Sequence, residues 1–176
     1  MSTASARVLM DFEIRDIIND GVRRGHLSPK MLLSLAFRNG TSDGQINKVY
    51  GVTTSDVAAS TTTVVDLIGS LTDADGAVIN FDEVVLVVLH NTRTTALAYL
   101  SVGPDATAGF GTLASSLGFW ADATDRSIVA PDGWLVLYSP AGVPAAAGST
   151  DELAIITSAV AGSTNGWELI IAGRAN

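Results

Sequence analysis

The sequence predicts an all-β fold: an antiparallel β-sandwich preceded by an N-terminal arm. Three observations carry this. β-Branched residues alternate with turn residues at short intervals, the pattern of a sandwich or barrel. One run, Val84 to Leu89, is unbroken aliphatic, as in a strand covered on both faces. Turn signals such as Asp73-Ala74-Asp75-Gly76 and Pro131-Asp132-Gly133 punctuate the chain, combining residues that preset or tolerate tight-turn backbone angles.

The elements follow in order. Val8, Met10, Phe12 and Ile14 alternate with Asp11, Glu13 and Arg15, which predicts a strand over 7–15. Met10, Ile14, Ile17 and Ile18 also fit one helical face, so a helical turn at 16–23 stays open, although Gly21 and Gly25 weaken it. Residues 1–30 are read as an arm or strand extension, and 31–176 as the sandwich domain. Strands are expected at Met31–Arg38, Gln45–Thr53, Thr61–Ile68 and Ala77–Phe81. The strongest strand, Val84–His90, is expected to pair with Ala96–Val102 across Asn91–Thr95. Gly103–Leu117 reads as a long loop at the rim or a partner contact. Arg126–Ala130 and Trp134–Tyr138 flank the Pro-Asp-Gly turn as a hairpin. Thr150–Ala159 and Trp167–Gly173 form the last hairpin. In its second strand Trp167, Leu169 and Ile171 share one face, which leaves Glu168 and Ile170 on a mixed face of edge or interface type.

Composition narrows the function. The chain has 176 residues, 47% hydrophobic and only 16% charged, with no cysteine. Its mean hydropathy is +0.35. The longest aliphatic run is far short of the ~20 residues of a spanning helix. The apolar excess therefore implies surface hidden in a homo-oligomer, not a membrane. Lack of cysteine excludes disulfides and thiolate chemistry. Asp11 and Glu13 interrupt the only place where a signal core could start, so synthesis in a cytoplasm is expected. Residues 1–48 carry seven Lys/Arg and five Asp/Glu, whereas residues 49–176 carry three and thirteen, hence +2 against −10. The body would repel nucleic acid. The first segment holds either ordinary solvated cations or a patch for an acidic surface.

No motif carries chemistry. Of the two histidines, His26 sits in a Gly-His-Leu-Ser-Pro loop without a nearby acid partner in sequence, and His90, at the end of the most buried strand, reads as a satisfied rim residue. There is no Gly-x-Ser-x-Gly, phosphate loop or His-Glu-x-x-His helix. Gly109-Phe110-Gly111 is a fragment of a dinucleotide fingerprint without its strand–turn–helix context and reads as loop flexibility. Asp122 and Asp125 read as solubilising surface. No enzyme, cofactor or metal is expected. Among the tryptophans, Trp134 and Trp167 lead alternating strands as core or interface anchors. Trp120 is the best candidate for exposure and for stacking on a sugar.

Longer stretches carry a family resemblance. The run Ser34-Leu35-Ala36-Phe37-Arg38-Asn39-Gly40-Thr41, then Val57-Ala58-Ala59-Ser60, then Val65-Asp66-Leu67-Ile68-Gly69-Ser70-Leu71-Thr72-Asp73-Ala74 resembles small virion proteins of tailed bacteriophages. So do Val129-Ala130-Pro131-Asp132-Gly133, Gly148-Ser149-Thr150-Asp151-Glu152-Leu153 and the ending Leu169-Ile170-Ile171-Ala172-Gly173. The resemblance spans roughly residues 32–176. It implies a sandwich of jelly-roll type and a capsid decoration (cement) protein. Such a protein sits as a trimer on the outer shell, with the major capsid protein as partner. A tail, neck or carbohydrate-binding virion protein is the alternative. Interface candidates are Val8, Met10, Phe12 and Ile14 in the arm, and Phe110 and Trp120 in the rim loops.

Overall fold

The computed structural model describes residues 7–13, 16–19, 24–27, 30–72, 76–112, 118–159 and 165–175. Among them every regular element is a strand: β1 (Arg7–Glu13), β2 (Asp16–Asn19), β3 (Arg24–Leu27), β4 (Lys30–Ala36), β5 (Arg38–Asn39), β6 (Gln45–Ile46), β7 (Lys48–Val57), β8 (Thr62–Asp66), β9 (Ile68–Thr72), β10 (Val78–Asn80), β11 (Glu83–Asn91), β12 (Leu100–Pro104), β13 (Ser127–Val129), β14 (Trp134–Pro144), β15 (Glu152–Thr157) and β16 (Asn165–Arg174). The alternative of a helical turn from residue 16 is not adopted, since Asp16–Asn19 is strand.

Two antiparallel four-stranded sheets make the body. The first runs β14-β11-β16-β7 and the second β13-β12-β15-β8. Alternation buries one face of each strand between them. Val84, Val87, Leu89, Leu169 and Ile171 from the first sheet meet Val65, Leu100, Val102, Leu153 and Ile155 from the second in one continuous core. The aliphatic strand β11 is covered on both faces, as its unbroken run requires. Its other side, at Val85, Leu86 and Val88, packs under Phe37 and Ile46 in a second cluster. A bulge between Val84 and Leu86 interrupts both ladders of β11.

The expected hairpins are crossovers. Val84–His90 does not pair with Ala96–Val102: β12 lies in the opposite sheet, on β13 and β15. Likewise β13 and β14 flank Pro131-Asp132-Gly133 but belong to different sheets, and so do β15 and β16. The turn at 131–133 exists, with the Gly133 amide donating to the Ala130 carbonyl at 2.9 Å. The left-handed backbone falls on Asp132 (φ 56°) rather than on the glycine. Gly133 is needed for space, because a Cβ there would stand 2.8 Å from the Ala130 oxygen.

The rim-loop reading of 103–117 also changes. Gly103 and Pro104 close strand β12. The Phe110 amide then donates to the Glu152 carbonyl at 2.9 Å, which draws the loop onto β15. A Cβ on Gly109 would meet the Asp105 oxygen at 2.5 Å, so the Gly-Phe-Gly segment serves close approach, not flexibility. Of the turn predicted at Asp73–Gly76, only Gly76, at φ 80°, lies among the described residues.

At the N-terminus β1 pairs antiparallel with β4, from Arg7↔Ala36 to Glu13↔Lys30. β2 pairs with β3 from Asp16↔Leu27 to Asn19↔Arg24, continuing the same register. Residues 28–29, beside the expected boundary at 30, lie outside the described residues. The strand expected at Met31–Arg38 is the return strand of this two-stranded ribbon, and only Phe37 separates it from β5.

Candidate interaction surface

The outer face of the first sheet leaves large apolar side chains uncovered, as the second sheet does at Ile128 and Val64. Cross-strand register defines its rows. Trp134, His90, Glu168 and Thr53 stand side by side, then Val136, Val88, Ile170 and Gly51, then Tyr138, Leu86, Ala172 and Val49. Phe37 and Ile46 cover the third row, with the Phe37 ring edge-on to Tyr138 at 6.0 Å. Towards the first row the cover ends. Trp134 is 59% exposed and Ile170 47%, which is unusual for such large apolar groups on the middle and edge of a sheet. The corresponding row on the other sheet, Thr62, Ile156, Ser101 and Ile128, is half hydroxyl side chains.

The first row is held firmly. The His90 imidazole stacks on the Trp134 indole, ring centroids 4.0 Å apart and planes 6° from parallel. Its Nδ1 lies 3.4 Å from Glu168 Oε2 and its Nε2 3.4 Å from Asp132 Oδ1. His90 is thus a partnered residue at the strand end, and its acids come from distant parts of the chain. Beneath it the buried Asn91 side chain donates to the carbonyls of Ala98 (2.8 Å), Val129 (3.2 Å) and Ala130 (3.1 Å). It thereby pins two crossover loops. Arg93 is paired to Asp56 at 2.9 Å beside them. Asn91 carries no motif, and the alternation of β11 alone gave no sign of its role.

The predicted interface residues divide. Phe110 is fully buried in the core, edge-on to Phe119 at 6.2 Å. Trp120 is also buried, its Nε1 donating to Ser127 Oγ at 3.2 Å. Neither is available to a partner, because the loop that carries them folds inward. Trp134, read as an anchor, is the exposed tryptophan, while Trp167 is core. Val8, Met10 and Phe12 stand on β1, opposite Leu35, Leu33 and Met31. Ile14 lies outside the described residues.

No group of three or more His, Asp or Glu among the described residues is placed to hold an ion. Asp122 and Asp125 build a turn instead: Asp125 accepts from the amides of Ala121 and Asp122, and Asp122 accepts from Thr124. The Thr124 hydroxyl and amide hold the Asp122 carboxyl below its ordinary range. No helix among the described residues is long and apolar enough to cross a membrane. Compared with known proteins, the chain matches no family profile, no curated protein and no solved structure.

Proposed function

We propose that this protein is a non-enzymatic structural component of a tailed-phage virion: a head decoration protein that acts as a homotrimer on the outer shell, bound to the major capsid protein. The observation that carries the reading is the strand order. Taken along the chain as B to I, strands β7, β8, β11, β12, β13, β14, β15 and β16 fall into sheets B-I-D-G and C-H-E-F. We infer from it an eight-stranded jelly roll, an architecture shared by capsid and lectin domains. The uncovered apolar face supports association. The low charge and the virion-protein resemblance point the same way. Mixing the full-length chain with heads and with tails of its phage, then sedimenting each, tests this: retention on heads alone is expected, and retention on neither overturns it.

A second reading is favoured by the Trp134–His90 stack, flanked by Asp132 and Glu168. An exposed indole beside carboxylate acceptors suits a sugar ring, as in a host-receptor protein. A glycan array that lights up for the wild type and goes dark for Trp134→Ala would support it.

A further inference from the structure

We propose that the uncovered part of the first sheet's outer face is the seat for the N-terminal ribbon of a second copy of this chain. The inference rests on the homo-oligomer part of the reading above and names its contact.

An isolated two-stranded ribbon is at best marginal in water. This one has an apolar face by position. Val8, Met10 and Phe12 occupy alternate places on β1, and directly across the ladder stand Leu35, Leu33 and Met31. The opposite face is mixed by position, with Arg7, Leu9, Asp11 and Glu13 across from Ala36, Ser34, Leu32 and Lys30. Such a ribbon needs an apolar cover to persist. At about 3.4 Å per residue the seven-residue strands β1 and β4 span about 24 Å, comparable with the strands of the sandwich.

The sheet face offers that cover. Its third row is already closed by Phe37, the residue that joins ribbon to sandwich. The ribbon therefore departs from the edge of the very surface that lacks a cover. On that face Trp134 and Ile170 stand 59% and 47% exposed. A second copy brings an identical ribbon. Charge favours the same match, since the first 48 residues carry +2 and the rest −10. Ribbon-to-face contact joins two different surfaces, so the rotation between copies sets whether it closes on itself or continues from copy to copy.

Absence of cysteine makes the test clean. Full-length Leu33→Cys and Ile170→Cys proteins are mixed and treated with a short bis-maleimide. Two-chain adducts in the mixture, above those of either variant alone, are expected. The double variant in one chain should give the same intermolecular ladder. An adduct confined within single chains shows a ribbon seated on its own sandwich and overturns the proposal, as does no adduct in a protein that stays oligomeric. Ile170→Lys, a substitution at a half-exposed site, should shift sedimentation to the 18.2 kDa species without lowering the melting temperature. An unchanged oligomer overturns the proposal. So does a glycan that binds Trp134 in the intact oligomer, because the face is then open. All of this is read on purified protein. Cross-linking retained without head binding sinks the virion reading alone, and head binding without cross-linking sinks this inference alone.

Discussion

His90 lies flat on Trp134, 4.0 Å between ring centroids, although the two residues are 44 positions apart and the indole is mostly in water. Removing an indole that is this exposed removes little buried area. Trp134→Ala should change folding stability by less than about 1 kcal/mol while weakening self-association. Trp120→Ala, in the core, should cost about 3–5 kcal/mol. Denaturant melts and sedimentation on both variants check the contrast. Equal destabilisation would mean that the two tryptophans are not divided between surface and core.

Asn91 donates to three carbonyls from two different crossover loops. Asn91→Leu fills a similar volume but leaves those acceptors without that donor. The expected loss is about 1–3 kcal/mol, with amide exchange accelerated first at 92–99 and 130–133. A neutral substitution would show that the loops hold themselves.

Arg174 is the largest fully buried side chain. Its Nε donates to Glu83 at 2.7 Å and its Nη1 to the Ser42 carbonyl at 2.7 Å, and its Nη2 bonds the Ala141 carbonyl. One guanidinium therefore ties the end of β16 to β11, to β14 and to the loop at Ser42. Glu83→Gln removes the nearer of two carboxylates, leaving Asp43 at 3.6 Å from Nη1, and should cost about 1–3 kcal/mol. Chemical denaturation measures it. A neutral substitution would show that the carbonyls and Asp43 satisfy the arginine without Glu83.

Glu152 and Asp105 share a hydrogen bond between carboxyl groups. Desolvation, then Asp105 and the neighbouring charges of Asp151 and Asp66, push the Glu152 carboxyl up. The backbone amide of Thr107 holds Asp105 down. The fold thus favours neutral Glu152, a contribution present at low pH and lost as the pH rises through the raised value. Asp105 contributes in the opposite sense, above its ordinary range, and loses that contribution as the pH falls through its lowered value. Glu152→Gln should therefore raise the melting temperature at neutral pH, and the gain should fade as the pH falls into the carboxylate range. A gain that is equal at both pH values would rule out this electrostatic origin.

Period-two alternation was enough to find strands and the side each one buries. Trp167, Leu169 and Ile171 point into the core as read, and Val84–Leu89 is covered on both faces. The Pro-Asp-Gly signal marked a real turn. What alternation does not encode is the sheet to which a strand belongs. In a sandwich the inner faces of both sheets carry the same pattern, and a short turn reads alike whether it folds a hairpin or crosses between sheets. All three expected hairpins therefore proved to be crossovers. Exposure of the aromatics was undecidable for the same reason. Trp120 follows a glycine-rich loop and looked free, yet backbone bonds to β15 carry that loop into the core. Trp134 opens an alternating strand and looked anchored, yet its alternate face is the sheet's outer one. The sequence alone determined an all-β chain with more apolar surface than charge to cover it. Only the tertiary structure decided which strands stand side by side, and so that Trp134 and Ile170 share one sheet's outer face, because neighbours on that face come from strands distant in the chain.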